Sequence, residues 1–210
     1  MKFILASKSP RRKEILENLG ISFEIVTADT NEDSEITDPA ELVRELSVRK
    51  GRAVAEKIIE DNKIVEKALV ISSDTVVASD GEILGKPCDE NDAKRMLRGL
   101  SGRAHSVFSG IAITEIEGGR IIKTAAATEE TRVYFSGMSE EDIDFYVHAE
   151  QVYDKAGAYA IQGIASAYIE KIDGDYFNVV GLPVRRMFKL LEEEYGIKLR
   201  FISDIPTSSE

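Results

Sequence analysis

ALVISSD, residues 68–74, decides the fold. An unbroken run of apolar and small residues ends in a carboxylate. Such a run suits a strand covered on both faces rather than one with a solvated side. Strands of that kind sit between helices, and the flanking sequence supplies them. Upstream, residues 2–6 read as another buried strand, and ASKSPRRKEILENLG (6–20) turns at once into a helix. Ser9 is its N-cap, Pro10 fits the first helical position, and Gly20 marks the stop. Ile15, Leu16 and Leu19 form its apolar face.

Working outward, SFEIVT (22–27) reads as a second strand and the polar, acidic residues 28–37 as a loop. Asp38 and Pro39 then open a long helix to about Glu60. A turn at Ser79, Asp80 and Gly81 leads into EILGKP, and a helix covers 89–99. Residues 106–116 and 120–135 pattern as a long antiparallel pair turning at Gly118 and Gly119. Helices are expected at 139–149 and 154–161, a strand at 165–172, and a final helix from Pro183 to Tyr195. The tail SDIPTSSE, 203–210, is expected to be disordered. The pattern predicts an α/β fold with a mixed sheet and helices on both sides, without internal repeat or composition shift to mark a boundary.

Composition narrows the function. The 210 residues carry 27 basic and 38 acidic side chains, a net charge of −11, which opposes generic binding to nucleic acid or acidic membranes. No apolar run reaches the ~18 residues of a membrane helix, and the N-terminal MKFILASKSP reads as a first strand rather than a signal peptide. The single cysteine, Cys88, excludes an internal disulfide and suits a reducing cytoplasm. His105 and His148 have no metal-binding spacing to each other or to Cys88. Walker, GxGxxG and GxSxG signatures are missing, and no histidine is placed to activate Ser7, Ser9 or Ser73.

Several polar residues stand where burial or opposite charge is expected. Asp74 closes the most apolar strand, at the end where α/β sheets place their ligand crevice, although a carboxylate there can also cap a turn. Lys50 falls in the stripe Leu42, Leu46, Ala53, Val54, so it either snorkels past the core or points into a polar cavity. Lys86 is held between Gly85 and Pro87, a geometry shared by phosphate loops and ordinary turns. Glu32 is one carboxylate among four in an acidic loop. Arg11, Arg12 and Lys13 occupy a helix first turn, where the dipole favours anions. A small polyanion would match that cluster. Cations and carboxylates without soft metal ligands are the equipment for a hard divalent ion and a phosphate chain, so the residues point to a phosphate-ester or nucleotide hydrolase.

The motifs ASKSPRR (6–12), ISSDTVV (71–77), LGKP (84–87), SGRAHSVFSG (101–110), DKAGAYAIQG (154–163) and GDYFNVVGLP (174–183) together resemble the Maf family, in the family's order and over nearly the whole chain. That resemblance implies a nucleoside triphosphate pyrophosphatase that cleaves between the α- and β-phosphates with Mg2+ or Mn2+. It also implies a two-lobed, inosine triphosphate pyrophosphatase-like fold over 1–202, with an elongated mixed sheet, a cleft between the lobes and a homodimeric assembly. Asp74 matches the family's catalytic proton acceptor, with a metal-ligand role also open. Ser7 and Arg12 match the phosphate-binding segment, and Lys50, Lys86 and Glu32 the other polar positions of the cleft, Glu32 also as a metal ligand. The family commonly has Asp-Glu where this chain has Asn31-Glu32, a departure that bears on metal affinity.

Arg11, Thr75 and Gln162 match the three positions of the branch specific for dTTP and UTP, rather than the branch preferring 7-methyl-GTP. Donors from Arg11 and Gln162 suit the carbonyl-rich edge of thymine or uracil. Asp154, Lys155, Gly157 and Tyr159 belong to the same segment. On this reading Arg12 faces the triphosphate, Arg11 the base, and the empty site is electrostatically strained. The alternative is a nucleotide-binding regulator of cell division or septum formation without significant turnover.

Overall fold

The computed structural model describes residues 1–61 and 67–198, so the expected disorder of 203–210 lies outside the described residues. Its frame is one seven-stranded mixed sheet. Strands β1 (Lys2–Leu5), β2 (Phe23–Ile25) and β3 (Ala68–Ser79) come first in the chain, then β4 (Glu82–Leu84), β5 (Ala104–Glu117), β6 (Arg120–Phe135) and β7 (Ile169–Asp173). The order across the sheet is β2-β1-β3-β5-β6-β7, with β4 attached to the far part of β3. β1 runs parallel to β2 and β3, and every other pairing is antiparallel.

The helices are α1 (Pro10–Asn18), α2 (Pro39–Glu60), α3 (Glu90–Leu100), α4 (Glu140–Ala149), α5 (Tyr176–Val180) and α6 (Val184–Tyr195). Their starts follow local chemistry. Ser9, Asp38, Asp89 and Ser139 each accept a backbone N–H three residues on, and Pro opens both α1 and α2.

Alternation along β3 sorts the cores. Ala68 and Val70 face α2, packing with Val54, Ala55 and Ile58. Leu69 and Ile71 face the other way, onto Ile15 and Leu16 of α1 and Met187 and Leu191 of α6. Farther along that second row, Val77 joins Val107 and Val133 under Leu97 of α3 and Ile143 and Tyr146 of α4. Between these two apolar clusters the row turns polar at Ser73 and Thr75. Helices therefore lie on both faces, as the pattern predicts, and the seam between two cores on one face is written in hydroxyls.

Three expectations are corrected. Asp74 does not end its strand, because antiparallel pairing with β5 carries β3 on to Ala78 opposite Ser106. What ends near Asp74 is the parallel neighbour, whose last pair is Leu5 with Ile71. Residues 154–161 form no α-helix, only a 3-10 turn at Ala156–Ala158, where Gly157 and Ala158 take φ of +66° and +62°. The strand expected at 165–172 begins at Ile169, after a second 3-10 turn, Ile164–Tyr168.

Candidate active site

The end of β1 leaves part of β3's edge uncovered between Ile71, paired to β1, and Val77, paired to β4. A cavity of about 800 Å3 opens there. Ser7, Arg11, Arg12, Glu32, Lys50, Asp74, Thr75, Lys86 and Gln162 all line it. The fold thus brings these nine candidate site residues to one hollow, from α1 and the segment before it, the acidic loop, α2, β3 and two later loops.

Lys50 resolves towards the polar cavity. The surface of α2 pressed on the sheet is Val43, Ser47, Gly51 and Ala55, whereas Leu42, Leu46, Lys50 and Val54 line the cavity. This i, i+4 row is the stripe read from the sequence, and it runs along the cavity beside the row pressed on the sheet, with Leu46 and Val54 still buried. The Lys50 ammonium donates to Oδ1 of Asp74 and lies 2.8 Å from Oε1 of Glu32, so it joins the two carboxylates. Burial pushes the Glu32 carboxyl up, but its hydrogen bond to Lys50 and the charges of Lys50, Lys86 and Arg12 carry it below the usual carboxylate range.

Arg12 is engaged by the protein itself. Its Nε donates to the Gly181 carbonyl at 2.8 Å and its Nη1 to the Ser73 carbonyl at 2.7 Å. Nη1 also reaches Ser7 Oγ at 3.4 Å, and Nη2 reaches Thr75 Oγ1 at 3.2 Å. Burial lowers its pKa from the ordinary value, with Asp74 opposing the shift. The fork ties α1 to β3's open edge and to the turn after α5. Gly181 O also accepts from Ser73 Oγ at 3.0 Å, and Ser109 shares Thr75 Oγ1 at 2.8 Å. Ser109 in turn donates to the Asn178 carbonyl at 3.0 Å, while the Asn178 amide donates to Val107 O and Thr131 Oγ1. These partners form the hydroxyl seam between the cores. The side chains of Ser109 and Asn178 escaped sequence reasoning. The only local sign was the glycine at 181, which ends α5 at φ +114°.

The other cations of the first turn are also matched. Arg11 Nη1 lies 3.3 Å from Oδ2 of Asp154, and Lys13 lies 3.5 Å from Glu17 one turn on. The expectation of electrostatic strain in the empty site is corrected accordingly, since acceptors from distant segments already meet the cluster.

Thr75 points its hydroxyl at Arg12 and Ser109, whereas Gln162 and Lys86 are exposed on the cavity wall. The loop carrying Gln162 is anchored from the cluster under α3 and α4. Gly157 N donates to Gly85 O at 3.0 Å, Ala160 N to Tyr146 Oη at 3.2 Å, and Tyr159 Oη meets His105 Nε2 at 2.7 Å. His105 is buried, which pushes its pKa down to about 4 and keeps the ring neutral near pH 7.

Among the described residues, no group of three or more His, Cys, Asp or Glu is arranged to hold a metal. Asp74 and Glu32 provide hard oxygen donors that converge on one ammonium. That set fits Mg2+ or Mn2+, because such ions are commonly held by one or two carboxylates together with substrate phosphates rather than by an all-protein cage.

The family model for Maf-like proteins matches residues 2–194. The chain is 48% identical over 198 residues to the dTTP/UTP pyrophosphatase of Caldanaerobacter subterraneus subsp. tengcongensis, covering 94% of this chain and 91% of the relative. It is 43% identical to the dTTP/UTP pyrophosphatase of Thermoanaerobacter sp. (strain X514), covering 95% and 100%. Among solved structures, a HAM1 protein from Coxiella burnetii aligns over 74% of this chain and 87% of its own, at 17% identity and a TM-score of 0.42.

Proposed function

This chain belongs to the family of Maf-like proteins, and from that premise we propose that it hydrolyses dTTP and UTP to the nucleoside monophosphate and pyrophosphate. The observation that carries the reading is the meeting of Asp74, Lys50 and Glu32 in a cavity shared with Arg11, Lys86 and Gln162. Water attacks the α–β linkage, Asp74 takes its proton, and pyrophosphate leaves. Lys86 and Lys50 meet the phosphate oxygens, and Ser7 with the first turn of α1 adds hydrogen-bond donors. Arg11 and Gln162 face the carbonyl edge of the pyrimidine. Arg12 and Thr75 hold the cavity wall in register through their mutual contact.

Asp74 and Glu32 would hold Mg2+ or Mn2+. The ion supplies neutralisation of phosphate charge when bound. No helix among the described residues is long and apolar enough to cross a membrane. A cytoplasmic setting and a homodimer complete the proposal on family resemblance.

The test is a panel of dTTP, UTP, CTP, GTP and methylated nucleotides with a pyrophosphate readout, with and without added metal. Turnover of dTTP and UTP above the others is expected, and Asp74→Asn should abolish it while keeping nucleotide binding. Wild-type turnover in Asp74→Asn refutes the role of Asp74. Tight binding without turnover in every metal condition refutes the enzymatic reading and favours a nucleotide-binding regulator.

A further inference from the structure

We propose that Lys50 is the resident cation of the Asp74–Glu32 pair and keeps a divalent metal out of the free protein, so that metal and nucleotide bind cooperatively. The inference rests on the functional reading above and adds to it an order of assembly. Its starting point is geometric. A single ammonium meets Oδ1 of Asp74 and lies 2.8 Å from Oε1 of Glu32, oxygen donors of the kind a divalent ion takes. Lys50 is four-fifths buried and Asp74 is more so, which limits the screening of charge between them. An ion seated on the same oxygens would lie beside a unit positive charge, with Lys86 and Arg12 adding to the field felt at Glu32.

The ammonium cannot be withdrawn by moving its helix. At the adjacent Gly51, a Cβ would stand 2.6 Å from Ser72 Oγ and 3.1 Å from Thr114 Oγ1, so α2 is seated tightly on the sheet at this turn. Ser72 Oγ also donates to the Ser47 carbonyl at 2.7 Å, which fastens the same turn. Lys50 can release the carboxylates only by swinging its own side chain, and in the free protein that leaves an ammonium without its partners.

A polyphosphate changes the balance. Its oxygens accept from Lys50 in place of Asp74 and Glu32, and the freed carboxylates become available to the metal. Coupling of this kind is reciprocal, so each ligand tightens the other by the same factor. The cluster of two carboxylates and one ammonium, with a net charge of −1, becomes a dianionic site only when nucleotide is present.

The experiment is a titration of the full chain with Mn2+, without nucleotide, following free Mn2+ by electron paramagnetic resonance. Wild type is expected to bind weakly. Lys50→Met and Lys50→Gln should bind about tenfold or more tightly, and Lys50→Arg, which keeps the charge, should stay weak. The double variant Lys50→Met with Asp74→Asn should lose the gain. With a dTTP analogue whose α–β bridge cannot be hydrolysed, wild type should gain Mn2+ affinity and the advantage of Lys50→Met should shrink. Thermal melts identify any variant that fails to fold, and the remaining neutral variant then decides.

Equal Mn2+ affinity in wild type and the neutral variants overturns the proposal. So does Lys50→Arg binding as tightly as Lys50→Met. The readout needs no turnover. A protein that hydrolyses dTTP yet shows no Lys50 effect refutes only this inference, whereas one that hydrolyses no nucleotide refutes the functional reading.

Discussion

Gly110→Ala is the sharpest probe of how the fold places the site. Gly110 lies on β5 directly opposite Asp74 on β3, and α2 crosses immediately above it. A Cβ at this position would stand 2.0 Å from the Val43 carbonyl oxygen, 2.4 Å from its carbon and 2.9 Å from Arg44 N. All three are main-chain atoms of α2, so no side-chain rotation relieves the clash. Restoring even the closest separation that real Cβ atoms show, 3.0 Å, moves the helix by about 1 Å. Overpacking typically costs about 1–3 kcal/mol, and a main-chain obstacle argues for the upper end, about 3 kcal/mol. For a chain of this size that lowers Tm by about 6–12 °C. Lys50 rides on the same helix two turns away and would be carried off the carboxylates. A displacement near 1 Å can reduce kcat/KM by about a hundredfold. Differential scanning calorimetry and pyrophosphate release measure the two effects. A variant with wild-type Tm and wild-type kcat/KM would show that α2 is not seated on β5 as described.

Two further outcomes follow from named contacts. Arg12→Lys should lower Tm by several degrees, because a single ammonium cannot span the Gly181 and Ser73 carbonyls and Thr75 Oγ1, and each lost charge-assisted bond is worth about 1.5–3 kcal/mol. An unchanged Tm with a raised KM would instead make Arg12 a phosphate contact rather than a structural tie. His105 should govern part of the acid sensitivity. Its folded pKa of about 4 lies below the unfolded 6.5, so the unfolded chain takes the proton first and stability falls as pH drops through that window, by about 3 kcal/mol in all. Comparing Tm at pH 6.5 and pH 5, His105→Gln should show a smaller loss than wild type. An equal loss in both would remove His105 from the account.

Much of the site was legible because its signals are local anomalies. An aspartate in an apolar strand, a lysine within a helical stripe and cations at a helix start each violate a rule that neighbouring residues set. Helix starts were legible for the same reason, since Ser9, Asp38 and Ser139 cap backbone groups only three residues away. Residues 154–161 misled because their conformation is imposed from outside. Gly85 O, Tyr146 Oη and His105 hold that loop, and no window of local sequence contains them. Asp74 was read as a strand end because the apolar run stops there, whereas strand length was decided by β5, more than thirty residues on.

The sequence by itself determined most of the elements, the two-faced burial of β3 and the identity of the charged groups, because these depend on periodicity, capping and composition within a few turns of chain. Only the tertiary structure decided which charge meets which. Arg12 answers to carbonyls 61 and 169 residues away, and Lys50 to a carboxylate 24 residues on. Electrostatic and hydrogen-bond energies depend on separation in space, and chain folding sets that separation independently of distance along the sequence.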